Sequence, residues 1–264
     1  MLSELKKRYA LITGGSSGIG LALSQLFAKS GYSLIIVSNS AEELEHCVGL
    51  FASHFPETEV TTICIDLAKQ GSPEAVYQRV KRDFSCISIL VNSAGFATYG
   101  PVIENAVQRE TDMINLNVTA VYQLTRLFLA DMDRQGEGYI LNVASSAGVV
   151  PVPNICTYAA TKAFVLHFSD ALNFELKHLG SNVSVTALCP PPVPTNFQTA
   201  AGMDESKIFK SSLAMEVNAV AKAGYKALFS KKSMLIPGVS MKVLLWLCER
   251  MPRVVRMRLL KASF

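Results

Sequence analysis

The sequence predicts a single-domain α/β fold, a doubly wound parallel sheet of about seven strands with helices on both faces. Three observations predict it. Short, β-branched apolar runs alternate with longer amphipathic stretches from residue 9 to about residue 237, the pattern of successive βαβ units. A glycine-rich turn links the first run directly to a helical stretch. Half of the 264 residues are hydrophobic, enough to bury one large core.

The strands are expected at Tyr9–Thr13, Ser33–Ser38, Val60–Ile65, Ile87–Asn92, Tyr139–Val143, Val183–Leu188 and Met234–Pro237. Between them, 3.6-residue periodicity marks helices at Gly18–Ser30, Ala41–Phe55, Pro73–Asp83, Gln108–Gln135, Thr157–His178 and Asn218–Phe229, several with Gly or Pro just outside their ends. The cluster Pro190-Pro191-Pro192-Val193-Pro194 breaks regular structure, and a polar excursion follows it to residue 217. It leaves the carboxyl end of a strand, where open parallel sheets bind ligands, so 190–217 reads as a substrate lid. The body is therefore residues 1–237, and residues 238–264 form a C-terminal extension.

Composition narrows the function. Charged residues make up 17% and mean hydropathy is +0.28, which implies extensive burial or an apolar face. Met1 to Arg8 is short and charged, without the apolar core and cleavage site of a signal peptide, and points away from export. The six cysteines are widely spaced with no C-x-x-C pair, so the expectation is reduced thiols, a cytoplasmic location and no metal site. The basic residues lack aromatic interleaving and a nucleic-acid motif, so no nucleic-acid role is expected.

The turn Thr13-Gly14-Gly15-Ser16-Ser17-Gly18-Ile19-Gly20 follows the first strand and opens a helix. Glycine tolerates positive φ and close backbone approach, and a helix N-terminus favours an anion, so the turn suits a diphosphate. An ordinary strand-to-helix turn carries the same glycines. In a dinucleotide site the second strand ends near the adenosine ribose, here at Ser38-Asn39-Ser40. No acid stands there to repel a 2′-phosphate and no arginine to grip it, so NADP(H) is favoured over NAD(H) by missing repulsion alone. Asp66, with Leu67 beside it, follows the third strand and reads equally as an acceptor for the adenine amino group or as a helix cap.

Tyr158-Ala159-Ala160-Thr161-Lys162 opens a helix, and four residues are about 400° of rotation, which puts phenol and ammonium on one face. A fixed cation lowers a phenol's pKa from about 10, and a neutral phenol equally donates to a forming alkoxide. A surface Tyr–Lys pair shows the same spacing. Ser145 and Ser146 follow the fifth strand, where a hydroxyl can hold a substrate oxygen. Ser146 equally reads as a turn cap.

With these motifs in order, the chain resembles the short-chain dehydrogenase/reductase family over residues 8 to about 238. Thr13–Gly20 matches T-G-x-x-x-G-x-G, Asn92-Ser93-Ala94-Gly95 matches N-N-A-G with Ser for one Asn, and Tyr158 to Lys162 matches Y-x-x-x-K. The resemblance implies a Rossmann-like fold and a homodimer or homotetramer built on the two long helices. It implies that Ser145, Tyr158 and Lys162 are catalytic, with Asn117 supporting a proton relay and Asn115 as the fallback. It further implies that Lys162 bonds the nicotinamide ribose, that Asn92, Ala94 and Gly95 line the cofactor groove, and that Pro190, Val193 and Thr195 meet the nicotinamide. Pro190-Pro191 departs from the family's Pro-Gly.

The extension interleaves Leu, Val, Met and Trp246 with Lys242, Arg250, Arg253, Arg256, Arg258 and Lys261 around Pro252, as two short amphipathic helices. Neither run approaches the roughly 20 residues of a membrane span. The pattern reads equally as an interfacial helix on anionic lipid or as cover for the pocket or a subunit interface. The leading reading is an NADP(H)-dependent reductase of a hydrophobic, lipid-like carbonyl. The alternatives are an NAD-linked alcohol dehydrogenase and a non-catalytic dinucleotide-binding regulator.

Overall fold

Among the residues described by the computed structural model, 7–203 and 206–263, the apolar runs form seven parallel strands. Residues 1–6 of the charged N-terminal stretch, residues 204–205 of the expected lid and the side chain of Lys261 lie outside the description. The strands are β1 (Tyr9–Thr13), β2 (Ser33–Ser38), β3 (Val60–Cys64), β4 (Ile87–Asn92), β5 (Gly138–Val143), β6 (Val183–Leu188) and β7 (Met234–Leu235). They lie in the order β3-β2-β1-β4-β5-β6-β7. The order reverses between β1 and β4, and their carboxyl ends are level there because Thr13 pairs with both Val37 and Asn92. A crevice beyond strand ends at such a reversal is where this architecture takes ligands.

Each strand alternates between two buried layers. Ala10 and Ile12 join Ile36, Ile89 and Val91 on one face, while Leu11 joins Ile35, Val37 and Leu90 on the other. A sheet buried on both sides needs helices on both. Helices α1 (Gly18–Lys29), α2 (Ala41–His54) and α8 (Val217–Phe229) supply Phe27, Phe51 and Val220 to the first layer. On the other face, α3 (Ser72–Asp83), α5 (Val121–Gln135) and α6 (Cys156–His178) supply Val80, Phe128 and Leu176. Gly136 ends α5 at φ 81°, a left-handed cap that glycine adopts without steric cost.

The expected single helix over 108–135 is resolved into α4 (Val107–Ile114), a π-helical turn over Asn115–Ala120, and α5. No Gly or Pro breaks residues 107–135, so the composition carries no trace of the extra residue in the turn. Its consequence is that Asn117 is wholly buried whereas Asn115 is only half-buried. Strand β7 is two residues long, shorter than expected, because Pro237 has no N–H to extend the ladder.

The excursion after β6 contains a short helix, α7 (Asn196–Ala200), and a 3-10 turn over Lys207–Lys210. The extension forms α9 (Val239–Arg250) and α10 (Arg253–Ser263), divided at Pro252. Met241, Leu245 and Cys248 repeat at helical spacing on the buried face of α9 and share a core cluster with Ile155, Tyr158 and Met203. The extension thus packs on the same body as the lid and the tyrosine helix.

Candidate active site

The glycine turn occupies the crevice beside β4. Gly14 has φ 64°, and a Cβ there would lie 2.9 Å from the Ala94 backbone. A Cβ on Gly20 would run into the carbonyl oxygen of Gly14. Only hydrogens fit at these two positions, and Thr13 Oγ1 locks the approach by accepting from the N–H groups of Ser93 (3.1 Å) and Ala94 (3.2 Å). Helix α1 starts at Gly18 with no side-chain cap from Ser17 and no acid in its first turn. Its free N–H groups and positive end are therefore available to an anion. This cradle and uncapped helix fit a dinucleotide diphosphate.

A cavity of about 550 Å³ runs from the turn to the tyrosine helix. Gly14, Ser16, Ser17, Gly18, Ile19, Ser38 and Asn39 line its glycine-turn end, with Asp66 and Leu67 from the loop after β3. Ala94, Gly95, Ser145, Tyr158, Lys162, Pro190, Val193 and Thr195 line the other end. Asp66 also caps its own loop by accepting from Ala68 N at 3.0 Å. Thr195 caps α7 through Phe197 N and faces Gly18 across the crevice, with its methyl 3.6 Å from where a Gly18 Cβ would stand.

Four of the expected residues do not reach the wall. Gly20 is consumed in packing against Gly14. Ser40 is turned to the start of α2, where its hydroxyl accepts from Glu43 N at 3.2 Å. Asn92 points behind the crevice, donating to Thr125 Oγ1 (3.0 Å) and Asn142 Oδ1 (2.8 Å), and Asn142 in turn donates to Ser169. Asn117 lies beneath the loop after β4, donating to Phe96 O (3.0 Å) and Thr161 Oγ1 (3.1 Å) and accepting from Phe96 N (3.3 Å). Asn117 still borders the site, because a Cβ on Gly95 would stand 2.8 Å from its Oδ1 and 3.4 Å from Lys162 Nζ.

Ser145, Tyr158 and Lys162 come together where β5 meets α6. Ser145 Oγ accepts from Ala147 N at 3.1 Å and hydrogen-bonds the Tyr158 phenol. Lys162 is buried, donates from Nζ to Val143 O at 2.8 Å, and sits 5.8 Å from the Tyr158 ring centre. Burial pushes the Tyr158 phenol up to about 12, against the downward pull of the Ser145 hydrogen bond. Burial also pulls the Lys162 ammonium down to about 8, against the nearby Cys189. The expected lowering of the phenol by Lys162 does not arise: the ammonium is turned to the Val143 carbonyl, and desolvation dominates. Tyr158 is held in its proton-donating form.

Several wall residues carry no sequence signal of their own. Phe197 of α7 packs on Tyr158 with ring centres 5.6 Å apart, and Ile155, Met203 and Phe209 extend an apolar wall beside it. Arg109 of α4 stacks on Phe96 at 4.6 Å and donates to Ala200 O at 3.2 Å, tying α4 to α7. Glu43 of α2 reaches Ser16 of the glycine turn at 2.7 Å. The capping pattern of Ser40 and Glu43 was visible in the sequence, but not that the carboxylate faces the crevice.

Fold and site together define a doubly wound α/β chain with a serine, a tyrosine and a lysine at the crevice beyond its strand ends. A model of the short chain dehydrogenase family matches residues 8–206, and the chain belongs to that family. It is 35% identical over 189 residues to very-long-chain 3-oxoacyl-CoA reductase-A of Danio rerio, covering 68% of this chain and 57% of the relative. It is 34% identical over 196 residues to very-long-chain 3-oxoacyl-CoA reductase of Mus musculus, covering 71% of this chain and 60% of the relative. The chain thus spans less than two thirds of the length of these relatives. Among solved structures it is similar to a short-chain dehydrogenase from Sphingobium yanoikuyae in complex with NADPH, at 28% identity and TM-score 0.79, covering 94% of this chain and 97% of that one. It is also similar to a bulky-bulky ketone specific alcohol dehydrogenase from Comamonas testosteroni, at 26% identity and TM-score 0.76, covering 94% and 96%.

Proposed function

We propose that the chain is a nicotinamide-dependent reductase of hydrophobic, lipid-like ketones, with Tyr158 as the proton donor. The observation that carries this reading is the buried, protonated Tyr158, bonded to Ser145 and flanked by the apolar wall of Phe197, Ile155 and Met203. The glycine turn and α1 would hold the diphosphate, and Lys162 the nicotinamide ribose. When bound, the cofactor supplies the hydride. Ser145 Oγ then holds the carbonyl oxygen, an acceptor whose charge grows as the carbon is reduced. Tyr158 Oη passes its proton to that oxygen. Asn117 positions Gly95 and Phe96 against Thr161 and so fixes the floor under Lys162. With burial holding the phenol near 12, Tyr158 carries its proton at neutral pH and enters the reductive direction as a donor.

The substrate class follows from the apolar wall and from the similarity to reductases named for very-long-chain 3-oxoacyl-CoA. Screening 3-oxoacyl thioesters, keto-sphingoid bases, steroids and short polar ketones with NADH and NADPH tests it. Turnover confined to short polar ketones refutes the lipid-like class, and binding of a dinucleotide without any turnover favours the regulator.

The extension supports a peripheral contact with anionic membrane. Val239, Val243, Trp246 and Leu247 are exposed on α9, and Lys242, Arg250 and Arg253 stand among them. Among the described residues no helix is long and apolar enough to cross a membrane. Flotation with phosphatidylglycerol liposomes that persists unchanged after removal of residues 239–264 refutes the contact. Exposed Tyr122, Phe164 and Phe174 on α5 and α6 support a homo-oligomer through those helices, checked by light scattering. Six free cysteines support a reducing, cytoplasmic setting.

A further inference from the structure

The expectation of NADP(H) stood on the absence of an acid after β2. Helix α2 supplies one from its first turn. Ser40 and Glu43 have the spacing of a capping box, in which the glutamate would turn back to the Ser40 N–H. That N–H is instead directed to Ser38 Oγ at 3.3 Å, and the Ser40 hydroxyl takes the Glu43 N–H. The Glu43 carboxylate is thereby free to leave its helix, and Oε2 accepts from Ser16 Oγ at 2.7 Å. Ser16 is 6% exposed, and both residues line the cavity beside Asn39 at the end of β2.

The charge around this end is one-sided. Among the described residues lining the cavity, the cationic side chains are Lys162, held at Val143, and Arg109, held at Phe96 and Ala200. Neither is at the Ser16 and Asn39 end. A ribose bearing a free 2′-hydroxyl would find a carboxylate acceptor there, the stronger kind of hydrogen bond. A 2′-phosphate would meet that carboxylate with no cation among the described residues at that end to offset the repulsion.

We propose that Glu43, anchored by Ser16, is the residue that selects the cofactor, accepting the adenosine ribose 2′-hydroxyl and excluding a 2′-phosphate, so that the protein uses NAD(H). This inference rests on the dinucleotide reading of the crevice and reverses the phosphate preference expected from sequence. It differs from an acid at the end of β2 in that the selecting group arrives from the helix and depends on its serine partner.

The test is fluorescence titration of the full chain with NADH and with NADPH, without substrate, for the wild type, Glu43→Gln and Glu43→Asp. The wild type is expected to bind NADH at least about tenfold more tightly than NADPH. Glu43→Gln should tighten NADPH about tenfold and weaken NADH about threefold, while Glu43→Asp, which keeps the charge, should still disfavour NADPH. Equal wild-type affinities, or an unchanged NADH-to-NADPH ratio in Glu43→Gln, overturn the role of Glu43 and leave the reductase reading intact. Failure to bind either dinucleotide overturns both.

Discussion

Gly95→Ala tests whether the floor of the site is as tightly built as its hydrogen bonds indicate. The added Cβ would stand 2.8 Å from Asn117 Oδ1, closer than carbon and a carboxamide oxygen tolerate, and 3.4 Å from Lys162 Nζ. Asn117 is wholly buried and cannot step aside, because its amide makes three hydrogen bonds of 3.0, 3.1 and 3.3 Å to Phe96 and Thr161. Breaking one such bond so that its buried partner is left unsatisfied costs roughly 1 to 3 kcal/mol. A destabilisation of about 2 kcal/mol follows, which for a chain of this size lowers Tm by about 4 to 8 °C. The displacement also moves Lys162, so turnover should fall more than tenfold. Thermal unfolding of the single and double variants is the assay: in an Asn117→Ala background the obstacle is gone, and Gly95→Ala should cost about 1 kcal/mol less. Additive effects of the two substitutions, or a Tm for Gly95→Ala within about 1 °C of wild type, would refute the reasoning.

Tyr158→Phe should reduce turnover by about 10² to 10⁴-fold, the usual worth of general acid catalysis, and leave dinucleotide affinity within about threefold; a matched loss of binding would remove its proton-transfer role. The pH dependence of stability at alkaline pH follows from opposed shifts of buried groups. The Lys162 pKa is depressed from 10.5 to about 8, so its contribution is present above 10.5 and is lost as pH falls through 8, a change of about 3 kcal/mol. The Tyr158 pKa is raised from 10.0 to about 12, so its contribution is full below 10 and is lost as pH rises through 12. The buried Cys47 and Cys189 thiols, raised from 9.0 to about 11 and about 12, lose stability as pH rises above 9. Thermal melts should therefore gain stability from pH 8 only toward 9, and Lys162→Met should remove that gain; an unchanged rise in the variant would exclude Lys162 as its source. Phe27 is wholly buried between Tyr32 and Tyr225 at ring distances of 5.8 and 5.3 Å, and Phe27→Ala should cost about 3 to 5 kcal/mol in urea unfolding. A loss below about 1 kcal/mol would mean that α1 and α8 close over the gap.

The strands, the glycine turn and the Ser145, Tyr158 and Lys162 set were legible because each rests on a local rule. A short β-branched apolar run marks a strand buried on both faces, glycines between a strand and a helix mark a close turn, and residues four apart on a helix share a face. Asn117 was legible as a residue of the site, but its place beneath Gly95 depends on a π turn that no composition signals. Asn92 and Ser40 were misjudged for a related reason: their position beside the crevice is local, while the direction of each side chain is set by Thr125, Asn142 and Glu43.

By itself, then, the sequence determined the doubly wound fold, the glycine turn and the placing of Tyr158 and Lys162 on one helix face, each of which follows from spacing along one segment. Tertiary structure alone decided the upward shift of the Tyr158 phenol, since burial is a property of surrounding elements and outweighs the Ser145 hydrogen bond that opposes it. It also decided the sign of the charge at the Ser16 and Asn39 end of the cavity. Ser16 and Glu43 are separated by 27 residues, and only the parallel pairing of β1 with β2, which sets their following turns side by side, brings carboxylate and hydroxyl to 2.7 Å.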